Sequence, residues 1–376
     1  MNAFEAMTMA LKLAKAEQGF TSPNPPVGAV IFKNTVFLGA GATQPFGGPH
    51  AEIMALRAAG SEATGATMAV TLEPHSFFGH TPPCTNAIIA AGITKVIIAT
   101  TDPNPLVGGN GVRQLQNAGI TTEILHPENS QATEAQELIA PFRHWLIHKE
   151  PMGIAKIAMS MDGKIATSRG ESQWITGPES RRAGHLLRQS CDCIIIGAQT
   201  LLQDDPLLTT RLPDEPDLRI RHPIRIVLDS QGRTPATAKM LRPDTPGQTI
   251  IAATSAATDS WRDTIRSTGA EPLILPADVT GRVDISALWQ ELGKRGYLTA
   301  LIEGGATVLG ACFAANLIYR AHIFLAPIVI GGVSALSPVG DPGFAALASA
   351  PRFRWAAAER CGEDTYIIGK KIENQP

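Results

Sequence analysis

The sequence predicts an α/β protein built as two consecutive domains, and three observations lead to that reading. Segments with helical apolar spacing alternate with short β-branched runs over residues 1–147. The stretch HKEPMG at 148–153 breaks the alternation and reads as a linker. A second alternation fills 154–376. Repeated helix–strand alternation implies a largely parallel sheet with helices packed on it.

In the first domain a helix is expected at about 3–18, where Met, Leu and Ala recur at helical spacing among Glu5, Lys12, Lys15 and Glu17. The turn TSPNPP follows. VGAVIF and TVFLGAG read as strands, a helix starts near Pro49, TMAVTL is a strand, and another helix starts near Cys84. KVIIAT, a helix near 111–118, the strand TTEIL and one helix through ATEAQELIAPFRHWLIH complete the domain. The second domain opens with GIAKIAMSMDGKIA, a strand and its loop. GPESRRAGHLLRQS is a helix with Pro178 near its first turn, and CDCIIIG is a short buried strand. PIRIVLD, QTIIAAT, PLILPA, LTALIEGG and RAHIFLAPIVIGG are further strands, with helices near 258–269, 283–295 and 305–316. The stretch RLPDEPDLRIRHP is a loop.

Composition narrows the function. The chain is 44% hydrophobic and 18% charged, with a net charge of −2. This suits a soluble globular protein and gives no basic field for a nucleic-acid partner. No apolar run approaches the ~18 residues of a membrane span. The N-terminal segment reads as a surface helix, because charges interrupt its apolar residues where a signal peptide would have none. Five scattered cysteines, Cys84, Cys191, Cys193, Cys312 and Cys361, argue for a reducing cytoplasm over a disulfide framework. Cys191 and Cys193 read as core packing. A homo-oligomer is compatible with the sequence, which does not specify one.

His50-Ala-Glu52, followed at a distance by Pro82-Pro83-Cys84, suggests a metal site. Catalytic zinc needs three protein ligands, an open position, and a nearby carboxylate that is not a ligand. His50 and Cys84 open two helices, and Glu52 sits in the same first turn as His50, placed to move a proton. The helix start is expected to lower the Cys84 thiol pKa. After Glu73-Pro74 comes His75, where a second cysteine is usual, and imidazole serves as the third ligand. His80, five residues on, competes for that role, and a decayed site without metal is the other reading. Two histidines and one thiolate leave the ion at about +1, against about zero with two thiolates.

These residues resemble a known family. SPNPPVGAVI, GGPHAEIMALRAAG and TLEPHSFFGHTPPC look like the deaminase half of bifunctional riboflavin-biosynthesis proteins. MSMDGKIATSRGESQWITGPESR, GAQTLLQDDPLLTTR and LIEGGATVLG look like the reductase half. The resemblance covers nearly the whole chain. It implies a cytidine-deaminase-like α/β/α sandwich followed by a dihydrofolate-reductase-like domain. The implied chemistry is zinc-dependent deamination of a phosphorylated pyrimidine, then NADPH-dependent reduction of its ribosyl chain to ribityl. The chain departs from the family's Glu-Pro-Cys-Ser-His at 73–77 and its basic residue at 80, having His75, Phe77 and His80 instead. Asn24 matches the family's base-contacting asparagine, though Asn before Pro also simply starts turns.

For the second domain, the resemblance places Ala158, Trp174, Thr200, Asp204, Ser230 and Gly305, Ala306, Thr307, Val308, Leu309, Gly310 along NADPH. It places Ser172, Arg188, Leu208, Arg211 and Glu303 against substrate. The residues themselves fit: LIEGGATVLG runs from a strand into a helix, a start that suits phosphate, and Arg188 and Arg211 are natural phosphate forks. The dinucleotide fingerprint is absent, and GGNGV at 108–112 reads as a loop of the deaminase. Lys156 either snorkels from an edge of its apolar strand or points into a polar pocket, and the pocket is preferred. Asp204 is the nearest candidate proton donor, or else merely ends a helix. Trp174 and Arg188 have plain alternatives as a core residue and a solvated helix residue. Two other functions compete: a reductase with a silent zinc domain, and a nucleic-acid base editor on the deaminase fold.

Overall fold

The computed structural model describes residues 1–79, 81–104, 108–215 and 217–372. The chain divides into two compact units, Met1–Lys149 and Glu150–Pro376. The expected linker at 148–153 overlaps elements on both sides, because a helix runs through His148 and a strand begins at Met152. Only 149–151 lie between them.

The first unit is a five-stranded sheet with helices on both faces. Helix α1 (Ala3–Ala16) starts in a capping box, with Asn2 and Glu5 each bonding the other's backbone N–H. Its buried stripe, Ala6, Met7, Ala10, Leu11 and Ala14, packs on one sheet face with α5 (Ser130–Leu138). Helices α2 (Ala51–Ala59), α3 (Cys84–Ala90) and α4 (Asn110–Asn117) cover the other face. The strands are β1 (Gly28–Lys33), β2 (Val36–Ala42), β3 (Thr67–Val70), β4 (Lys95–Ile98) and β5 (Thr121–Ile124), in the order β2-β1-β3-β4-β5. Contact between α1 and β1 requires glycine at 28, where a Cβ would stand 1.9 Å from the Ala10 carbonyl oxygen.

The sheet is less parallel than alternation implied. Only β3–β4 and β4–β5 are parallel, while β1 pairs antiparallel with both β2 and β3. The cause is local: Asn34 adopts φ 55 between β1 and β2, a left-handed conformation asparagine tolerates, so the two strands form a hairpin. The last helix also divides. Ile139 separates α5 from α6 (Ala140–His148), whose second residue, Pro141, offers no backbone N–H. GGNGV is only partly loop, since α4 begins inside it at Asn110 behind the left-handed Gly109.

The second unit contains β6 (Met152–Ser160), α7 (Pro178–Ser190), β7 (Cys193–Gly197), α8 (Ala198–Asp204), β8 (Ile224–Leu228), β9 (Thr249–Ala253), α9 (Asp259–Ser267), β10 (Glu271–Ile274), α10 (Ile285–Lys294), β11 (Thr299–Ile302), α11 (Ala306–Ala314), β12 (Ile318–Ala326), β13 (Phe353–Cys361) and β14 (Asp364–Lys371). Its nine strands are ordered β10-β9-β8-β7-β11-β6-β12-β14-β13. Pairing is parallel from β10 to β12 and antiparallel in the final hairpin. Helices α10 and α11 pack on one face, with α8 and α9 on the other. The expected strand through 332 stops at Ala326, ahead of Pro327. The helix that Asp204 was read as ending is α8, whereas the hairpin was not expected. No helix among the described residues is long and apolar enough to cross a membrane.

Candidate active sites

Four chain segments build the first site. Residues after the carboxyl ends of β3 and β4 supply Glu73, His75, Asp102 and Asn104, and the starts of α2 and α3 supply His50, Glu52 and Cys84. Clefts at the carboxyl ends of parallel strands are where α/β sheets bind ligands. The candidate ligand atoms of His50, His75 and Cys84 lie within 4.8 Å of one another. His50 Nδ1 is 3.5 Å from Cys84 Sγ, and the two imidazole centroids are 4.6 Å apart. His75 Nδ1 is buried without a hydrogen-bond partner. An orphaned lone pair beside a second imidazole and a thiol fits zinc. His80, the competing ligand, lies outside the described residues.

Burial, then His75, holds the His50 imidazole down at about 4, so it stays neutral and able to coordinate. Burial lowers His75 as well. The Cys84 thiol runs against expectation. Its helix start does not dominate: burial first, and the charge of Glu52 second, push the thiol well up. A cation is therefore what makes the thiolate accessible here. Glu52 is 4% exposed, and burial raises its carboxyl to about 7 against the opposing hydrogen bond from Cys84.

These groups open into a cavity of about 370 Å³ with Asn24 on its wall. Sequence reasoning missed several of its residues: Glu73, Thr81, Asp102, and the apolar wall of Phe142, Trp145 and Leu146 from α6. Asp102 carried one signal, its position just after an apolar strand; burial raises its carboxyl to about 6. Glu73, 3% exposed, accepts the N–H groups of Asp102, Gly109 and Val112 at 3.2, 3.0 and 3.2 Å.

The second unit holds a cavity of about 500 Å³ at the carboxyl ends of β6, β7 and β11. Ala158, Ser172, Trp174, Thr200, Asp204, Glu303 and residues 305–309 line it, and so does Lys156. Trp174 is 69% exposed, so it is no core residue, and the Arg181 guanidinium lies 4.8 Å from its ring centroid. Asp204 is both things at once, the last residue of α8 and part of the cavity wall. Burial raises its carboxyl. Burial lowers the Lys156 ammonium, with the Glu303 charge opposing.

Five expected residues do not line this cavity. The Ser230 hydroxyl accepts from Val283 N–H at 3.0 Å. Gly310 packs against 340–341, where a Cβ would stand 2.4 Å from the Asp341 carbonyl oxygen. Leu208 is buried. Arg188 is neither a solvated residue nor a free fork, since its Nε and Nη2 donate to the two Glu303 oxygens at 2.7 and 2.8 Å. Burial alone would raise Glu303, but the Arg188 guanidinium outweighs it and brings the carboxyl to about 2. Arg211 lines a neighbouring cleft with Arg181 and His185, where the Thr210 hydroxyl is buried and unpartnered. No sequence signal marked Thr210.

Fold and sites define a class: a two-domain enzyme with a hydrolytic zinc pocket in one unit and a cofactor-sized reductase cavity in the other. Residues 2–100 match the cytidine and deoxycytidylate deaminase zinc-binding region, and residues 151–367 match the RibD C-terminal domain. The chain is 37% identical to the riboflavin biosynthesis protein RibD of Aquifex aeolicus over 97% of both chains. It is 39% identical to that of Escherichia coli over 96% of this chain and 98% of the relative. The structure of Acinetobacter baumannii RibD aligns with TM-score 0.84 at 34% identity over 99% of each chain. A Thermotoga maritima diaminohydroxyphosphoribosylaminopyrimidine deaminase/5-amino-6-(5-phosphoribosylamino)uracil reductase aligns with TM-score 0.83 at 30% identity, covering 98% of this chain and 99% of that one. The chain belongs to the RibD family of riboflavin biosynthesis proteins.

Proposed function

We propose that the chain carries out two consecutive steps of riboflavin biosynthesis, one in each domain: deaminase in 1–147, reductase in 154–376. The substrate of the first is 2,5-diamino-6-(5-phosphoribosylamino)pyrimidin-4(3H)-one, whose 2-amino group is replaced by oxygen. The second reduces the ribosyl chain of that product to ribityl.

In the first site His50, His75 and Cys84 would hold zinc, which would supply Lewis acidity toward the attacking water. Glu52 takes one proton from the attacking water and gives it to a pyrimidine ring nitrogen, then takes the second from the hydroxyl left on the ring carbon and gives it to the departing ammonia. Its burial suits a carboxyl that must both accept and release a proton near neutrality. Asn24 and Asp102 hold the base by hydrogen bonds, and the α6 wall excludes water. In the second site Ala158, Trp174, Thr200 and 305–309 would hold NADPH, which would supply the hydride, while Ser230 and Gly310 lie outside that lining. Asp204 delivers the proton to the opened sugar. Lys156 and Glu303 orient its hydroxyls with Ser172, Arg188 fixes Glu303, and Arg211 beside Leu208 takes the phosphate. The substrates are small molecules, and five free thiols suit a reducing cytoplasm.

The observation that carries the reading is the convergence of three metal-ligating side chains beside a buried, non-ligating carboxylate. It favours an active first domain over a silent one. Glu52→Gln tests it: ammonia release falls by about 10²- to 10⁴-fold, zinc content is unchanged, and NADPH oxidation on the deaminated substrate persists. Undiminished ammonia release would overturn the assignment.

A further inference from the structure

One residue turns its hydroxyl toward a histidine of the metal set. The Thr81 hydroxyl lies 3.4 Å from His50 Nε2. The other ring nitrogen, Nδ1, faces Cys84 Sγ at 3.5 Å. Tetrahedral zinc, with bonds of about 2.0 Å to nitrogen and about 2.3 Å to sulfur, sets that N···S separation at roughly 3.6 Å. His50 thus has one nitrogen at ligand spacing and the other at a hydroxyl. His75 Nδ1 is buried and unpartnered beside it.

A neutral imidazole binds metal through the nitrogen that lacks a proton, and the partner of the other nitrogen decides which one that is. We propose that Thr81 is a positioning residue for the metal site. Its hydroxyl accepts the His50 Nε2 proton, so that this ring offers Nδ1 to the ion. The chain around it is built to hold that pose. The Thr81 carbonyl accepts from Gly79 N–H at 3.3 Å. Pro82 and Pro83, with their fixed φ, join Thr81 to Cys84, so hydroxyl and thiol keep a set spacing. The inference rests on the zinc reading above and adds to it a residue of the cavity wall that acts on the metal through His50.

The test measures zinc affinity of the full chain by competition with a chromophoric chelator. Thr81→Val keeps the volume and removes the hydroxyl; zinc affinity falls about 10- to 100-fold. Thr81→Ser restores most of it, and NADPH oxidation on the deaminated substrate is unaffected in both. In the zinc-loaded wild type, nitrogen-15 spectra place the remaining His50 proton on Nε2. Wild-type affinity in Thr81→Val, an equal loss in Thr81→Ser, or a His50 proton on Nδ1 would each overturn the proposal while leaving the zinc reading intact. A wild-type chain that binds no zinc overturns both.

Discussion

Position 75 decides the character of the first site. An imidazole there gives the ion one anionic ligand, where a cysteine would give two, so the site keeps about one more unit of positive charge. That charge favours loss of a proton at the metal. The acidic limb of the deamination pH–rate profile therefore lies lower in this chain than in a His75→Cys variant, and an unchanged limb would refute the argument. The ligand set was legible because its residue types and helix-start spacing are chemically demanding. Glu73, Thr81 and Asp102 were not, since ordinary residue types acquire their roles only when β3, β4 and the α3 start come together. The ion pair of Arg188 was hidden for the same reason: its partner, Glu303, is 115 residues away. That pair yields a second prediction at this scale. Glu303 titrates near 2 when folded, below the ordinary carboxylate range of about 4 to 4.5. Its contribution to stability is complete above that range and is lost as pH falls through about 2. Glu303→Gln leaves the Arg188 charge buried without its anion, costing about 3–5 kcal/mol at neutral pH. Thermal melts should show the gap between variant and wild type narrowing as pH drops from 5 toward 2.

Among the elements, strands with strong apolar runs were legible and connections less so. β7, β9 and β11 are buried almost throughout and read directly from CDCIIIG, QTIIAAT and LTALIEGG. β13 is mostly exposed, with FRWAAAERC showing no clean alternation, so its pattern gave no strand signal. The β1–β2 hairpin was hidden because Asn34 is followed by Thr where the usual turn signal has Gly. Between β4 and α4, Asp102 and Asn104 form part of the wall of the deaminase cavity. Glu73 holds this connection by three N–H groups, and Gly111 passes so close that a Cβ would stand 2.0 Å from the Pro74 carbonyl oxygen. Glu73→Ala leaves those donors without their anion and should cost about 1–3 kcal/mol or more. Gly111→Ala should force the loop bearing Pro74 and His75 away from α4. Calorimetry of the zinc-loaded chain checks the first, and a raised deaminase KM at unchanged reductase kcat checks the second.

At the scale of the whole molecule, each cavity is lined by residues of a single unit, 23–146 for the first and 156–338 for the second. Among the described residues no ligating or proton-moving group is shared by the two cavities, and each unit has hydrophobic clusters of its own. The two chemistries therefore have separate requirements: the first depends on a cation and a mobile proton, the second on a nucleotide and a dry, positioned sugar. Zinc removal discriminates between them. Stripping the ion with a chelator leaves His75 Nδ1 orphaned and returns Cys84 to a buried thiol, so ammonia release should stop. NADPH oxidation on already deaminated substrate should continue at its original rate, because none of His50, His75 or Cys84 lines the second cavity. Zinc added back should restore ammonia release alone. Should chelation depress both rates in a chain that remains folded, the two sites depend on one another through a route that neither cavity contains.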